Sequence, residues 1–192
     1  MKKTFLSADA YLRDIWRLAA AVRAGGWRPD LLVGLWRGGA PAAIAVHEFL
    51  KVSGWNVPHQ PLKSVSYTGI AQSKGEVVFS GGEAVFGAVH PGDKVLVVDD
   101  VFDTGKTAAA VHAKMRRLGA DLRLACVYWK PAMNTTELKP DYFARDLGDA
   151  WIVFPHELDG LTVEDIREKD DFLAGLLADV QQLSETEKEE RK

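Results

Sequence analysis

Val95-Leu96-Val97-Val98-Asp99-Asp100-Val101-Phe102-Asp103-Thr104-Gly105-Lys106-Thr107 decides how the chain is read. Four aliphatic residues in a row suit a strand covered on both faces, the habit of parallel sheets. Two carboxylates follow at once, and a short polar turn then opens a helix. Asp103 to Thr107 offers backbone N–H groups, two threonine hydroxyls and a helix N-terminus, a set suited to a phosphate monoester. Asp99 and Asp100 stand beside it as acceptors when ionised, about one sugar length away, and suit the vicinal hydroxyls of a ribose 5-phosphate. Gly105-Lys106-Thr107 also invites a nucleotide-triphosphatase reading. That motif needs a glycine five residues before Gly105, where this chain has Asp100, so the pattern fails. The plainer alternative is a helix cap at Asp103 or Thr104 beside a solvated strand end.

On either side, strands alternate with helices. Ser7 is a candidate N-cap for a helix carrying Ala8, Tyr11, Leu12, Ile15, Trp16, Ala19 and Val22 at helical spacing, stopped by Gly25-Gly26. Leu31 to Trp36 reads as a buried strand, and Pro41 opens a helix to about Val52. Leu62 to Tyr67 alternates like a strand, and Thr68 to Pro91 is glycine-rich with at most short strands. Lys94 to Val98 is a buried strand, Thr104 to Leu118 a helix and Leu122 to Trp129 a strand. Lys130 to Gly148 is turn-rich with a short strand near Tyr142-Phe143, and Trp151 to Phe154 is a last strand. Phe172, Leu173, Leu176, Leu177, Val180 and Leu183 form an apolar stripe on a C-terminal helix, read as core or hood packing, and the charged tail 184–192 is expected to fray. The alternation predicts an α/β fold, a mostly parallel twisted sheet flanked by helices, with ligands beyond the carboxyl ends of its strands.

Composition narrows the classes. The 192 residues fit one domain spanning 1–192, and 47% hydrophobic with 27% charged residues is an ordinary globular mixture. Twenty-four basic against 27 acidic residues give a net charge of -3, no footprint for nucleic acid or an anionic membrane surface. The single cysteine, Cys126, excludes an internal disulfide and favours a cytoplasmic setting. No apolar run approaches the roughly 20 residues of a membrane span, and no signal core follows Met1.

The strand, acid pair and Thr-Gly-Lys-Thr turn resemble the signature of type I phosphoribosyltransferases, enzymes that use 5-phosphoribosyl-1-pyrophosphate (PRPP). Across roughly Leu31 to Glu157 the chain is most similar to bacterial xanthine–guanine and hypoxanthine phosphoribosyltransferases. The resemblance implies that fold with a small hood. It places Asp99 and Asp100 on the ribose hydroxyls, Thr104, Gly105, Lys106 and Thr107 on the 5-phosphate, and Asp103 near the purine N7 as the group that handles the proton.

Further assignments follow the same resemblance. Arg37-Gly38-Gly39, where glycines admit a ligand close to the backbone and Arg37 adds a bidentate cation, falls on the pyrophosphate loop. In the family a non-proline cis peptide often precedes the basic residue; here that bond is Trp36-Arg37. Ser66-Tyr67 heads a flap that screens the reacting ribose from water. Lys130 matches the lysine that reads the 6-oxo group, and Trp151 with Ile152 faces the flat base. Glu157 falls on an acid that helps position a metal. Mg²⁺ is therefore expected at Asp99, Asp100 and Glu157, partly through water or substrate. The implied partners are PRPP and a 6-oxopurine (hypoxanthine, guanine or xanthine), together with a second copy of the chain in a homodimer or higher homo-oligomer. A non-catalytic PRPP- or nucleotide-sensing regulator of the same fold, or a transferase for another base, is the competing reading. Asp103, Lys130 and the Ser66-Tyr67 pair argue against the first.

Overall fold

The structure, a computed structural model, describes residues 3–66 and 77–190. Six strands form the main sheet: β2 (Leu31–Trp36), β3 (His59–Ser66), β4 (Val77–Ser80), β5 (Lys94–Phe102), β6 (Asp121–Trp129) and β7 (Tyr142–Asp146). Their order is β4-β3-β2-β5-β6-β7, and every neighbouring pair is parallel except β3 with β4.

The aliphatic runs explain the layering. Successive residues of a strand face opposite sides, so an unbroken run needs a cover on both. Leu96 and Val98 pack with Ile15 and Leu18 of α1 (Ala8–Ala24) and Val46 and Leu50 of α2 (Gly39–Val52). Val95 and Val97 face the other way, onto Val85 of α3 (Glu83–Gly87) and Val111 and Met115 of α4 (Lys106–Arg117). Ser7 caps α1 as expected, its hydroxyl accepting from the Ala10 amide at 3.2 Å.

Several boundaries move, each for a physical reason. β5 runs on through the acids to Phe102 because β6 continues beside it, pairing Asp99 with Cys126 and Val101 with Tyr128. α4 starts at Lys106 rather than Thr104, since Gly105 at φ +77° lies outside helical space. α2 begins at Gly39, ahead of Pro41, and β3 already at His59. Tyr67 lies outside the described residues. The last predicted strand, β8 (Trp151–Val153), does not join the main sheet. It pairs in parallel with β1 (Lys3–Phe5), which the sequence reading did not foresee.

Beyond β8 come α5 (Val163–Lys169) and α6 (Asp171–Glu190), joined to the body by a 2.6 Å ion pair between Lys3 and Asp165. The C-terminal stripe is expected to pack in the core or the hood; α6 packs chiefly on α5, and Phe172 and Leu176 stay 76% and 47% exposed, outside the core. α6 is described through Glu190. Among the described residues no helix is long and apolar enough to cross a membrane.

Candidate active site

The candidate residues gather where β2, β5 and β6 end. Asp99 and Asp100 occupy consecutive positions of β5. The Asp100 amide donates to Asp99 Oδ1 at 2.9 Å, and the Val101 amide donates to Asp100 Oδ1 at 2.8 Å. Burial raises the pKa of both carboxyls, and the charge of Asp100 raises that of Asp99 further. Two acids held this way favour a ligand that brings hydroxyl donors or positive charge.

The turn after β5 is built by backbone geometry. Gly105 takes φ +77°, and a Cβ there would lie 2.5 Å from Thr136 Oγ1 and 2.6 Å from Asn134 Oδ1. No side chain fits between the turn and the 134–136 loop. That loop is tied down by the Thr135 amide and hydroxyl, which donate to the Thr104 carbonyl at 3.1 and 3.0 Å. The result is a pocket of about 90 Å³ lined by Asp99 and the Asp103–Thr107 turn.

A larger cleft of about 650 Å³ adjoins it, with Val101 and Asp103 lining both. Arg37, Gly38, Asp100, Lys130, Trp151, Ile152 and Glu157 share its walls. Residues spread over 120 positions of sequence thus meet in one cavity. The Trp36–Arg37 peptide is cis. Gly38 sits against the acid pair: a Cβ there would lie 2.1 Å from Asp100 Oδ2. Lys130, whose amide donates to the Phe102 carbonyl at 2.9 Å, extends its ammonium to 3.6 Å from Asp103 Oδ2. Asp103 Oδ1 is buried without a partner in the described structure. Trp151 is half exposed at the rim, and Glu157 Oε2 accepts from the Phe154 amide at 3.3 Å.

Not every expected residue is brought to the same place. Asp99 and Thr104 to Thr107 line the small pocket, whereas Asp100 and Glu157 line the cleft, so Asp99, Asp100 and Glu157 do not form one three-carboxylate cluster. Ser66 closes β3, and its neighbour Tyr67 lies outside the described residues. The structure also adds residues. His156 stacks on Phe154 (5.6 Å, 26°) and lies 6.0 Å from the Tyr11 ring. Tyr11 carries a buried hydroxyl with no partner in the described structure, and the charges of Asp100 and Asp99 help suppress its ionisation. Helical spacing alone marks Tyr11 as an apolar position and hides that neighbour.

The sequence is 35% identical over 74 residues to a hypoxanthine/guanine phosphoribosyltransferase of Methanococcus maripaludis, covering 38% of this chain. It is 27% identical over 125 residues to a hypoxanthine-guanine phosphoribosyltransferase of Lactococcus lactis, covering 64% of this chain. The chain spans 40% and 64% of the lengths of those two relatives. Among solved structures, a purine phosphoribosyltransferase from Pyrococcus horikoshii superposes with a TM-score of 0.65 at 30% identity, covering 84% of this chain and 99% of that one. Residues 2–159, nearly the whole of the sheet and both pockets, match the phosphoribosyl transferase domain, and the chain belongs to that family.

Proposed function

We propose that the protein transfers ribose 5-phosphate from PRPP to a 6-oxopurine, giving the nucleoside 5′-monophosphate and pyrophosphate. The observation that carries this reading is the adjacency of two cavities, a small one lined by Asp99, the Asp103–Thr107 turn and apolar residues of β5 and β6, and a larger one holding Arg37, Lys130 and Trp151. The 5-phosphate fits the Thr104–Thr107 turn, with the ribose hydroxyls on Asp99 and Asp100. Pyrophosphate then lies toward Arg37 and Gly38, and the base lies between Lys130 and Trp151.

The residues divide the reaction between positioning and charge. The bond from ribose C1 to the pyrophosphate oxygen breaks with its electron pair on the departing group, and C1 bonds to purine N9. The proton displaced from the base passes to Asp103, whose carboxylate lines the cleft beside Lys130. Lys130 donates to the 6-oxo oxygen, a contact that adenine, with an amino group there, does not accept. Arg37 offers a bidentate fork to the pyrophosphate oxygens.

The donor set fits Mg²⁺ held mainly through substrate oxygens. Among the described residues no three acidic, histidine or cysteine side chains form a cage, while Asp100 and Glu157 face one cleft. When bound there, Mg²⁺ supplies charge neutralisation for the pyrophosphate, and Asp99 supports Asp100 from the adjoining pocket.

A steady-state measurement of pyrophosphate release with PRPP, Mg²⁺ and a panel of hypoxanthine, guanine, xanthine and adenine tests the reading. Turnover with one or more 6-oxopurines and background rates with adenine are expected. Adenine turning over as fast as the best 6-oxopurine, or no base turning over, would overturn it.

A further inference from the structure

Lys169, the last residue of α5, stands ten positions beyond the family match, which ends at residue 159. Its ammonium nonetheless reaches back to the cleft wall. It donates to the Phe154 carbonyl at 2.7 Å and, by a second bond, to the Glu157 carbonyl. Phe154, His156 and Glu157 all line the large cleft, whereas Lys169 does not. The lysine thus grips from behind the turn whose front faces the base.

Three observations give this contact weight. Both acceptors are main-chain carbonyls at the two ends of one tight turn, so a single cation fixes the turn's length and twist. The turn is closed on its inner side by the Glu157 amide donating to the Phe154 carbonyl at 3.0 Å and the Glu157 carboxylate accepting from the Phe154 amide. Burial costs Lys169 part of its hydration, while Glu157 and Asp170 favour its charged form. A lysine drawn from water onto two carbonyls is held by that turn rather than swinging free.

We propose that Lys169 is a positioning residue for the purine subsite: its ammonium fixes the Phe154–Glu157 turn so that the backbone and the Glu157 side chain meet the edge of the base. α5 in turn is held by the Lys3–Asp165 ion pair and by a capping box, Thr162 Oγ accepting from the Asp165 amide at 3.1 Å and Asp165 Oδ2 from the Thr162 amide at 2.9 Å. The segment after the family match is therefore a brace for base recognition. The assignment rests on the phosphoribosyl-transfer reading.

The test compares Lys169→Met and Lys169→Arg with the wild-type chain by calorimetric binding of guanosine 5′-monophosphate and of ribose 5-phosphate. The first ligand needs the base subsite; the second needs only the turn at Thr104–Thr107 and the acid pair, whereas Lys169 bonds the Phe154 and Glu157 carbonyls. Lys169→Met should weaken the nucleotide roughly tenfold or more, as small misplacements of positioning groups do. Ribose 5-phosphate should bind within about twofold of wild type, and Lys169→Arg, which keeps donors for both carbonyls, should restore most of the loss. Amide hydrogen exchange in 154–158 should quicken in Lys169→Met while that of 103–107 stays unchanged. Equal nucleotide affinity in wild type and Lys169→Met, or parallel loss of both ligands, would overturn the assignment and leave the transfer reading standing. A wild-type chain that binds neither ligand would overturn both.

Discussion

Replacing Gly38 by alanine separates the needs of the site from those of the fold. Gly38 has φ -59° and ψ -41°, which any L-residue adopts, so the backbone sets no obstacle. The added methyl meets one thing first: Asp100 Oδ2, 2.1 Å from the ideal Cβ position. The carboxylate must retreat by about 1.3 Å to reach the 3.4 Å of ordinary contact. Rotation about its own side-chain bonds allows that with little strain on the sheet, since Asp100 is only partly buried and lines an open cleft.

The same displacement is severe for chemistry that depends on placing a sugar. A misplacement of about 1 Å costs on the order of a hundredfold in rate. Gly38→Ala should therefore lower kcat/KM for PRPP by about two orders of magnitude while the melting temperature moves by no more than about 4 °C, equivalent to about 1 kcal/mol in a chain of this size. Pyrophosphate release read beside a thermal melt gives both numbers. Gly39→Ala is the contrast, because its methyl would meet backbone, the Val98 carbonyl at 2.8 Å and the Asp99 Cα at 2.9 Å, and so should lower the melting temperature as well. A Gly38→Ala enzyme with wild-type kcat/KM would show that Asp100 need not stand where it does, and the geometric reasoning would fail.

Asp103→Asn, which keeps the shape but not the acceptor charge near Lys130, should reduce kcat by about 10²–10⁴-fold with the KM for PRPP nearly unchanged; single-turnover kinetics beside steady-state KM decides it, and unaltered kcat rejects the proton role. Asp99→Asn should stabilise the protein. The native carboxyl has a raised pKa, so stability is full below the unfolded value near 3.8 and is lost as pH rises through the native one. The variant's gain in melting temperature should therefore grow from about pH 4 to pH 8, and a gain that shrinks over that range refutes the sign. Asp14→Ala acts on the fold instead. Asp14 is 2% exposed and accepts from Tyr128 Oη at 3.0 Å, Arg145 Nε at 2.9 Å and Arg17. Its loss leaves the buried Tyr128 hydroxyl without its acceptor while Arg17 and Arg145 stay more than half exposed, and should cost about 1–3 kcal/mol in a denaturant titration, with KM for PRPP unmoved.

What was legible in the sequence was local. The aliphatic run and the glycine turn each announce their geometry within a few residues, although the strand runs on through the acid pair to Phe102 and the helix waits until Lys106. β1 was not legible, because three residues, Lys3-Thr4-Phe5, become a strand only by pairing with Trp151-Ile152-Val153 almost 150 positions later. α5 did carry a signal, the Thr162-x-x-Asp165 capping box, which is readable in the chain although the helix it opens is only seven residues long. Lys169 carried none, since nothing near it in sequence points to the Phe154 and Glu157 carbonyls. The stripe on α6 shows the opposite failure: helical spacing is satisfied, yet Phe172 and Leu176 stay exposed.

The acid doublet shows why the extension of β5 matters beyond a boundary. As a solvated strand end, Asp99 and Asp100 would be interchangeable acceptors on one sugar. As members of a strand still paired to β6, they alternate, and alternation sends neighbours to opposite sides. Asp99 follows Val97 into the phosphate-sized pocket beside α4, and Asp100 opens on the cleft shared by Arg37, Lys130 and Glu157. One ribose lying across the strand can then touch both carboxylates, with its 5-phosphate on one side and its anomeric carbon facing the other. On the proposed function, two adjacent acids on a continuing strand would orient the sugar as well as hold it, which two acids on a flexible turn would not do.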